Sequence, residues 1–258
     1  GFRCGHWIAK TFPTGLLLIH PDRDPVLVTA DFFAATARES SWLRDIAFFS
    51  DPHSRPRSVQ DTVVNAIREL AGPNAVIGLE LGHNLVSNWN LADYHAVREA
   101  LPDAKIVSGA DVIWACRMIK SAAEIDRLRT LTHITERAMV ATRKQLHEGM
   151  TETDVARLTA ANGLREGADG VLFLNIRAGQ DRYASADAEP VDRPIRNGEM
   201  MIYDVGFTLR GYVSDIAYCT YFGKPSPRHH EIYAAVVRSQ EAAIAQMRRR
   251  NAATASAR

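Results

Sequence analysis

The sequence predicts an α/β (α+β) protein built in two parts. Short apolar runs alternate with helical patterns over the first part of the chain, as in sheets covered by helices. In the second part, two capped helical stretches precede an apolar strand and an apolar hairpin. The hairpin runs from Met200 to Tyr218 and contains two aspartates that lie almost symmetrically about its turn.

Composition restricts the class of protein. The 258 residues suffice for one large domain or two ordinary ones, and 46% hydrophobic with 24% charged residues is typical of soluble globular proteins. A formal charge of +1 and the lack of a long apolar run predict no nucleic-acid and no membrane partner. The three widely spaced cysteines form no metal-ligand pair or disulfide framework, so we expect a cytoplasmic protein. They are Cys4, Cys116 and Cys219.

The first part, residues 1–115, reads as an α/β domain. Apolar runs bounded by turn residues predict its strands, and helical spacing of apolar residues predicts helices between them. The predicted strands are 15–20, 25–30, 46–50, 75–81 and 105–108. The predicted helices are 59–70 and about 89–101.

The second part, residues 116–258, opens with two helices that begin at capping boxes. Ser121 with Glu124 starts a helix that Gly149 ends, and Thr151 with Asp154 starts the next. The elements predicted after them are a strand at 170–177, a polar loop at 178–197, the hairpin, and a helix at about 229–249.

Asp204 and Asp215 are the candidate site residues. If Leu209 and Arg210 form the turn centre, with Gly211 free to take a positive φ, the two aspartates are direct cross-strand partners. Their Cβ atoms would then lie about 4.5–5.5 Å apart on one face of the sheet. Two carboxylates this close in a half-buried sheet repel each other unless they share a proton or cations lie between them.

Three interpretations of this pair stay open from the residues alone. Divalent ions would lie between the carboxylates, and oxygen ligands suit manganese, magnesium or zinc. Alternatively, either aspartate is a wet strand-end residue satisfied by backbone amides. In the third interpretation the pair works as an acid and a base without a metal.

Three motifs carry a resemblance: Asp204-Val205-Gly206, Gly211-Tyr212-Val213-Ser214-Asp215 and Tyr221-Phe222-Gly223. With the stretch MIKSAAEIDRLR before them, they resemble the creatinase/aminopeptidase P/methionine aminopeptidase superfamily. The resemblance implies a creatinase-type amino-terminal α/β domain followed by the first half of a pita-bread catalytic domain. Against that family the chain reads as truncated at both ends.

The resemblance also implies an activity. Family members of this kind are metal-dependent hydrolases of a carbon–nitrogen bond, such as Xaa-Pro aminopeptidase or prolidase. Asp204 and Asp215 correspond to the first two ligands of a dinuclear metal site, and two divalent ions (Mn, Co or Zn) are expected in the intact family member. We expect a small peptide or a small polar nitrogenous substrate, and a homodimer.

The chain departs from the family's pattern in its ligands and in one loop. The remaining ligands would be one His and two Glu, but the only His and Glu after Asp215 are read as solvated helix positions. They are His229, His230, Glu231 and Glu241. The loop at 182–193 also lacks the His that the family's peptidases place there, and Asp187 or a neighbour fills its place. No catalytic residue is assigned.

These departures keep two alternatives open. One is a non-metal, creatinase-like or lyase-type enzyme that acts on a small polar compound. The other is an inactive relative that binds a peptide or protein. Among the remaining residues, Cys219 is predicted to lie in the core, and Arg177 and Arg182 are read as solvated loop residues or as ligands of an anionic substrate group.

Overall fold

The computed structural model describes residues 15–50, 58–82, 91–184 and 188–247. Cys4 and Asp187 lie outside these ranges. Contacts between Cα atoms divide the chain into two compact units, residues 1–125 and 126–258. No helix within the described ranges has the length and apolarity needed to cross a membrane.

The strands described in the first unit form two small sheets. They are β1 (Leu16–His20), β2 (Arg23–Ala30), β3 (Asp45–Phe49), β4 (Val76–Leu79) and β5 (Lys105–Ser108). β2 pairs antiparallel with β1 and parallel with β3, while β4 and β5 form a parallel pair. β2 begins two residues earlier than predicted, because His20 pairs with Arg23 across a turn of only two residues.

Helices alternate with the strands of the first unit; those at 59–71 and 91–100 were predicted, and those at 34–40 and 110–118 were not. They are α1 (Ala34–Ser40), α2 (Val59–Ala71), α3 (Leu91–Ala100) and α4 (Ala110–Met118). Ser58 caps the start of helix α2, because its hydroxyl accepts a hydrogen bond of 2.9 Å from the backbone N–H of Asp61. Its buried residues Val63 and Ile67 pack in one cluster with Val28 of β2.

The second unit contains three helices and an antiparallel sheet within its described residues. Its helices are α5 (Ala122–Gln145), α6 (Glu152–Arg165) and α7 (Pro227–Gln246). Its strands are β6 (Gly170–Ala178), β7 (Met200–Leu209), β8 (Tyr212–Val213) and β9 (Ile216–Tyr221). Both predicted capping boxes are confirmed. Thr151 and Asp154 exchange side-chain-to-backbone bonds of 3.1 and 3.0 Å, and Ser121 and Glu124 exchange bonds of 3.3 and 2.7 Å.

Strand β7 is the centre of this sheet, since β6, β8 and β9 all pair with it. The odd-numbered residues of β7 from Met201 to Phe207 are buried in the core with residues of α5 and α6. Gly163 of α6 allows this close approach, because a Cβ at this position would lie 2.0 Å from the Phe207 ring. The even-numbered residues, including Asp204, lie on the opposite face.

Candidate metal site

The turn between β7 and β8 sets the register of the two aspartates. Arg210 and Gly211 are its central residues, with φ values of 50° and 84°, and Leu209 pairs with Tyr212 across it. Positive φ at both central positions is typical of the type I′ turn that two-residue hairpins favour. The predicted turn centre at Leu209 and Arg210 is therefore wrong, because it would force Leu209 rather than Gly211 into the left-handed region.

Asp204 and Asp215 are consequently diagonal neighbours and not direct partners. Asp204 pairs with Ala217, and Asp215 lies two residues nearer the turn, in the short break between β8 and β9. Residues in this diagonal relation share a face of the sheet, with Cα atoms about 7–8 Å apart and Cβ atoms somewhat closer. The two carboxyl groups still influence each other, because the negative charge of Asp215 raises the pKa of the Asp204 carboxyl.

The Asp204 carboxyl is half-buried in a polar setting. Burial is the main cause that raises its pKa above the ordinary value, and Asp215 raises it further. A hydrogen bond from Asn175, its pairing partner on β6, opposes this rise in pKa, as does the positive charge of Arg177.

One oxygen of this carboxyl is poised for a cation. Asp204 Oδ1 is buried and has no hydrogen-bond partner among the described residues. A buried carboxylate oxygen in that state is costly, and a metal ion would satisfy it. Asp215, which is exposed, can supply a second oxygen ligand. The two residues thus fit a divalent ion that prefers oxygen ligands.

A chain of hydroxyl groups fixes the backbone beside Asp215. The N–H of Phe207 donates to Ser214 Oγ at 3.0 Å, and Ser214 Oγ lies 2.7 Å from Thr135 Oγ1. The Thr135 hydroxyl in turn donates to the backbone oxygen of Leu131 at 2.9 Å. Because Thr135 uses its only hydroxyl proton there, Ser214 donates to Thr135. This relay ties the residue before Asp215 to the core helix α5.

Gly206 explains the second part of the Asp-x-Gly motif. A Cβ at this position would lie 2.5 Å from the ring of Phe173, its partner on β6, and 2.9 Å from the backbone oxygen of Ser214. The missing side chain therefore lets the Phe173 ring and the backbone before Asp215 lie close to β7.

The polar loop after β6 is held by a buried carboxylate. Glu152 is fully buried and accepts hydrogen bonds from the backbone N–H of Ala178 (2.9 Å), the N–H of Val191 (3.1 Å) and Arg182 Nη2 (3.2 Å). These partners lie at the start, end and middle of the loop. Nothing in the sequence indicated this role, because an acidic residue in the first turn of a helix is ordinary.

A second ion pair joins residues of the same loop, next to the start of β7. Arg193 donates to both carboxylate oxygens of Glu199, at 2.9 and 2.6 Å, and also to Asp181 at 3.2 Å. The Arg193 hydrogen bond is the main reason that the pKa of Glu199 is lowered from its ordinary value.

Two predictions about single residues are corrected. Cys219 is exposed, because it lies on the open side of edge strand β9 and not on the packed side. Arg177 is not solvated; it lies in β6, within the predicted strand at 170–177, and only 3% of its surface is exposed. Arg182 lies in the loop as predicted, but its guanidinium is bound to Glu152 and to the backbone oxygen of Glu189.

The further ligands named from the family are not assembled around Asp204. The four candidate residues on α7, at positions 229, 230, 231 and 241, are exposed, as expected of solvated helix positions. Within the described parts of the chain, no three or more His, Cys, Asp or Glu side chains come together in a group that would hold a metal ion. The described site therefore consists of two carboxylates and their supporting residues.

The chain is similar to peptidases of known structure and name. It is 30% identical to the Xaa-Pro dipeptidase of Pyrococcus furiosus over 134 residues, which are 52% of this chain and 38% of that protein. The X-Pro aminopeptidase from Thermotoga maritima matches with a TM-score of 0.74 at 25% identity, covering 88% of this chain and 60% of that one. The prolidase from Pyrococcus horikoshii OT3 matches with the same TM-score at 23% identity, covering 89% of this chain and 60% of that one. At this identity the match is evidence of a shared fold only. The chain spans less than two thirds of each relative.

Two family patterns cover nearly the whole chain. The Creatinase/Prolidase N-terminal domain matches residues 1–119, and Metallopeptidase family M24 matches residues 126–257. The second match covers just over half of the chain and includes both aspartates. The predicted fold class is confirmed: an α/β amino-terminal domain is followed by the first half of a pita-bread domain. The chain thus belongs to metallopeptidase family M24, within the creatinase/aminopeptidase P superfamily that its hairpin motifs resemble.

Proposed function

We propose that the chain supplies the first two ligands of a divalent-metal site in a hydrolase that cleaves a carbon–nitrogen bond of small peptides. The observation that carries the proposal is the buried Oδ1 of Asp204, which has no hydrogen-bond partner among the described residues and lies on the same face as Asp215. Membership in a metallopeptidase family supports the same conclusion.

Each residue of the site has a defined task in this proposal. Asp204 and Asp215 would hold the metal through carboxylate oxygens, Asn175 orients the Asp204 carboxylate, and Ser214 fixes the backbone beside Asp215. A bound divalent ion supplies a water of lowered pKa and polarises the scissile carbonyl. For the intact enzyme we propose two ions (manganese, cobalt or zinc) that are completed by one His and two Glu.

The proposed substrate is a small peptide of the Xaa-Pro type. The relatives' names support this choice, since they are an Xaa-Pro dipeptidase, an X-Pro aminopeptidase and a prolidase. A cytoplasmic homodimer completes the proposal, and sedimentation equilibrium of the purified protein tests the dimer.

Calorimetric titration with Mn²⁺ tests the metal site directly. We expect D204N and D215N each to weaken Mn²⁺ binding by at least about tenfold relative to the unchanged chain. D126N is the matched control, because Asp126 is an exposed residue of α5 whose side chain is 73% accessible. If all three variants bind Mn²⁺ equally well, the proposed site is wrong.

A second candidate function is a non-metal enzyme for a small polar compound, or a binding relative without activity. It is favoured by the loop at 182–193, which has no histidine, and by the described residues, which bring together only two acidic ligands. Proline release from an Xaa-Pro dipeptide with added Mn²⁺, compared with turnover of a small amidine without metal, separates the candidates. Turnover of the amidine alone would favour the non-metal enzyme, and turnover of neither compound would favour the binding role.

A further inference from the structure

Arg177 lies on the same face of the sheet as Asp204. Asn175 pairs with Asp204, and Arg177 pairs with Ile202, two residues further along each strand. Side chains alternate between the faces of a strand, so Arg177, Asn175 and Asp204 share one face. Arg177 is therefore a diagonal neighbour of Asp204, at a Cα separation of about 7–8 Å that a long side chain can bridge.

The guanidinium of Arg177 is a buried permanent charge. Only 3% of the residue is exposed, and arginine stays protonated in proteins. A buried charge is tolerated when an opposite charge is near, and Asp204 is a carboxylate on the same face.

We propose that Arg177 is a built-in cation of the carboxylate site and sets its affinity for divalent metal. The inference rests on the proposed function, in which Asp204 and Asp215 are metal ligands. With Arg177 present, the two carboxylates and the guanidinium carry a net charge of −1, so the pull on a divalent ion is weaker than two carboxylates alone would exert.

Burial decides between this role and direct contact with substrate. A residue that is 3% exposed offers little surface to a ligand. The neighbouring Arg182 is more accessible, at 24% of its side chain, but its charge is already paired with Glu152. Arg177 therefore acts through Asp204, as a positioning residue that tunes the affinity of the site.

Calorimetric Mn²⁺ titrations of the full chain and three variants test the inference. R177M removes the charge but keeps an unbranched side chain, and it should bind Mn²⁺ about tenfold more tightly than the unchanged chain. R177K keeps the charge and should bind like the unchanged chain. R182M is the matched control for loss of a partly buried arginine elsewhere, and it too should leave the affinity unchanged.

The outcomes separate this inference from the proposed function. If folded R177M binds Mn²⁺ no more tightly than the unchanged chain, while D204N still weakens binding, the proposed role of Arg177 is wrong. The proposal of a metal site at Asp204 would then be unaffected. If D204N has no effect, the metal site is wrong and the role of Arg177 falls with it. Near-UV circular dichroism verifies folding, and R177Q, with the same expected gain, replaces R177M if the latter does not fold.

Discussion

The two faces of the sheet formed by β6, β7 and β9 are built from the same strands but carry different chemistry. On one face Tyr203, Val205 and Phe207 are at most 1% exposed and pack in the core of the second unit. On the other face Asp204 is half-buried and Cys219 is exposed. Because side chains alternate along a strand, packing of the first face fixes the positions of groups on the second. Apolar residues that do not contact the carboxylates thus hold them in place.

Removal of Phe207 should have the largest effect and tests the packed face. F207A should lower the free energy of unfolding by about 3–5 kcal/mol, because the ring is fully buried. I202A, on the polar face of the same strand, should cost about 1–2 kcal/mol, because Ile202 is only partly buried. Urea denaturation followed by circular dichroism measures both. Equal losses would break the comparison between the faces.

The hydroxyl relay connects the core with the polar face and comes next in size. T135V removes the acceptor of the Ser214 hydroxyl while keeping the side-chain shape, so we expect a loss of about 1–3 kcal/mol in stability. Calorimetry should also show weaker Mn²⁺ binding, because the backbone beside Asp215 loses its anchor. T135S keeps the hydroxyl and should restore both properties. If T135V binds Mn²⁺ as tightly as the unchanged chain, the hydroxyl groups contribute to stability only and not to the metal site.

The ion pair of Arg193 and Glu199 should have a smaller, pH-dependent effect. The pKa of Glu199 is lowered on folding, so its contribution to stability is present at neutral pH. That contribution is lost as the pH falls below the ordinary value of 4.5 and through the lowered pKa of the folded state. E199Q should therefore lower the free energy of unfolding by about 1 kcal/mol at neutral pH. It should also make the loss of stability at acidic pH less steep. Urea unfolding from about pH 3 to pH 7 measures this, and a decline as steep as in the unchanged chain would contradict it.

The exposed helix α7 should show the smallest effect. Glu231 is paired with Arg228 at 3.0 Å, but both side chains are at least 66% exposed. E231Q should change stability by less than about 0.5 kcal/mol and leave Mn²⁺ affinity unchanged. This variant also serves as the control for E199Q. A loss of Mn²⁺ binding in E231Q would instead make α7 part of the metal site.

The fold was largely predictable because its signals are local. Alternating apolar runs, the caps at Ser121 and Thr151, and the turn glycine at 211 depend on neighbouring residues, and the structure contains the elements that they predict. The two aspartates stood out because charged residues interrupt an otherwise apolar hairpin. Their exact relation was missed, because a shift of one residue in the turn centre moves every cross-strand pair by two positions.

The supporting residues of the site were not predictable from the sequence, because their roles depend on contacts between distant segments. Thr135 and Ser214 are 79 positions apart, and Glu152 meets Val191 across 39 positions. Arg177 was expected to be solvated because it lies near the end of its strand, but only 3% of its surface is exposed. For such residues a single sequence carries no local signal.

The two-residue turn at Arg210 and Gly211 tolerates some substitutions but no change of length. Asn or Gly at position 210 would keep the left-handed backbone, so substitutions there should be tolerated. An inserted residue would shift β9 by one position and turn Asp215 towards the packed face. Over evolution the turn should therefore vary in sequence but not in length, and insertion of one codon after Gly211 would remove the site while leaving both aspartates in the protein.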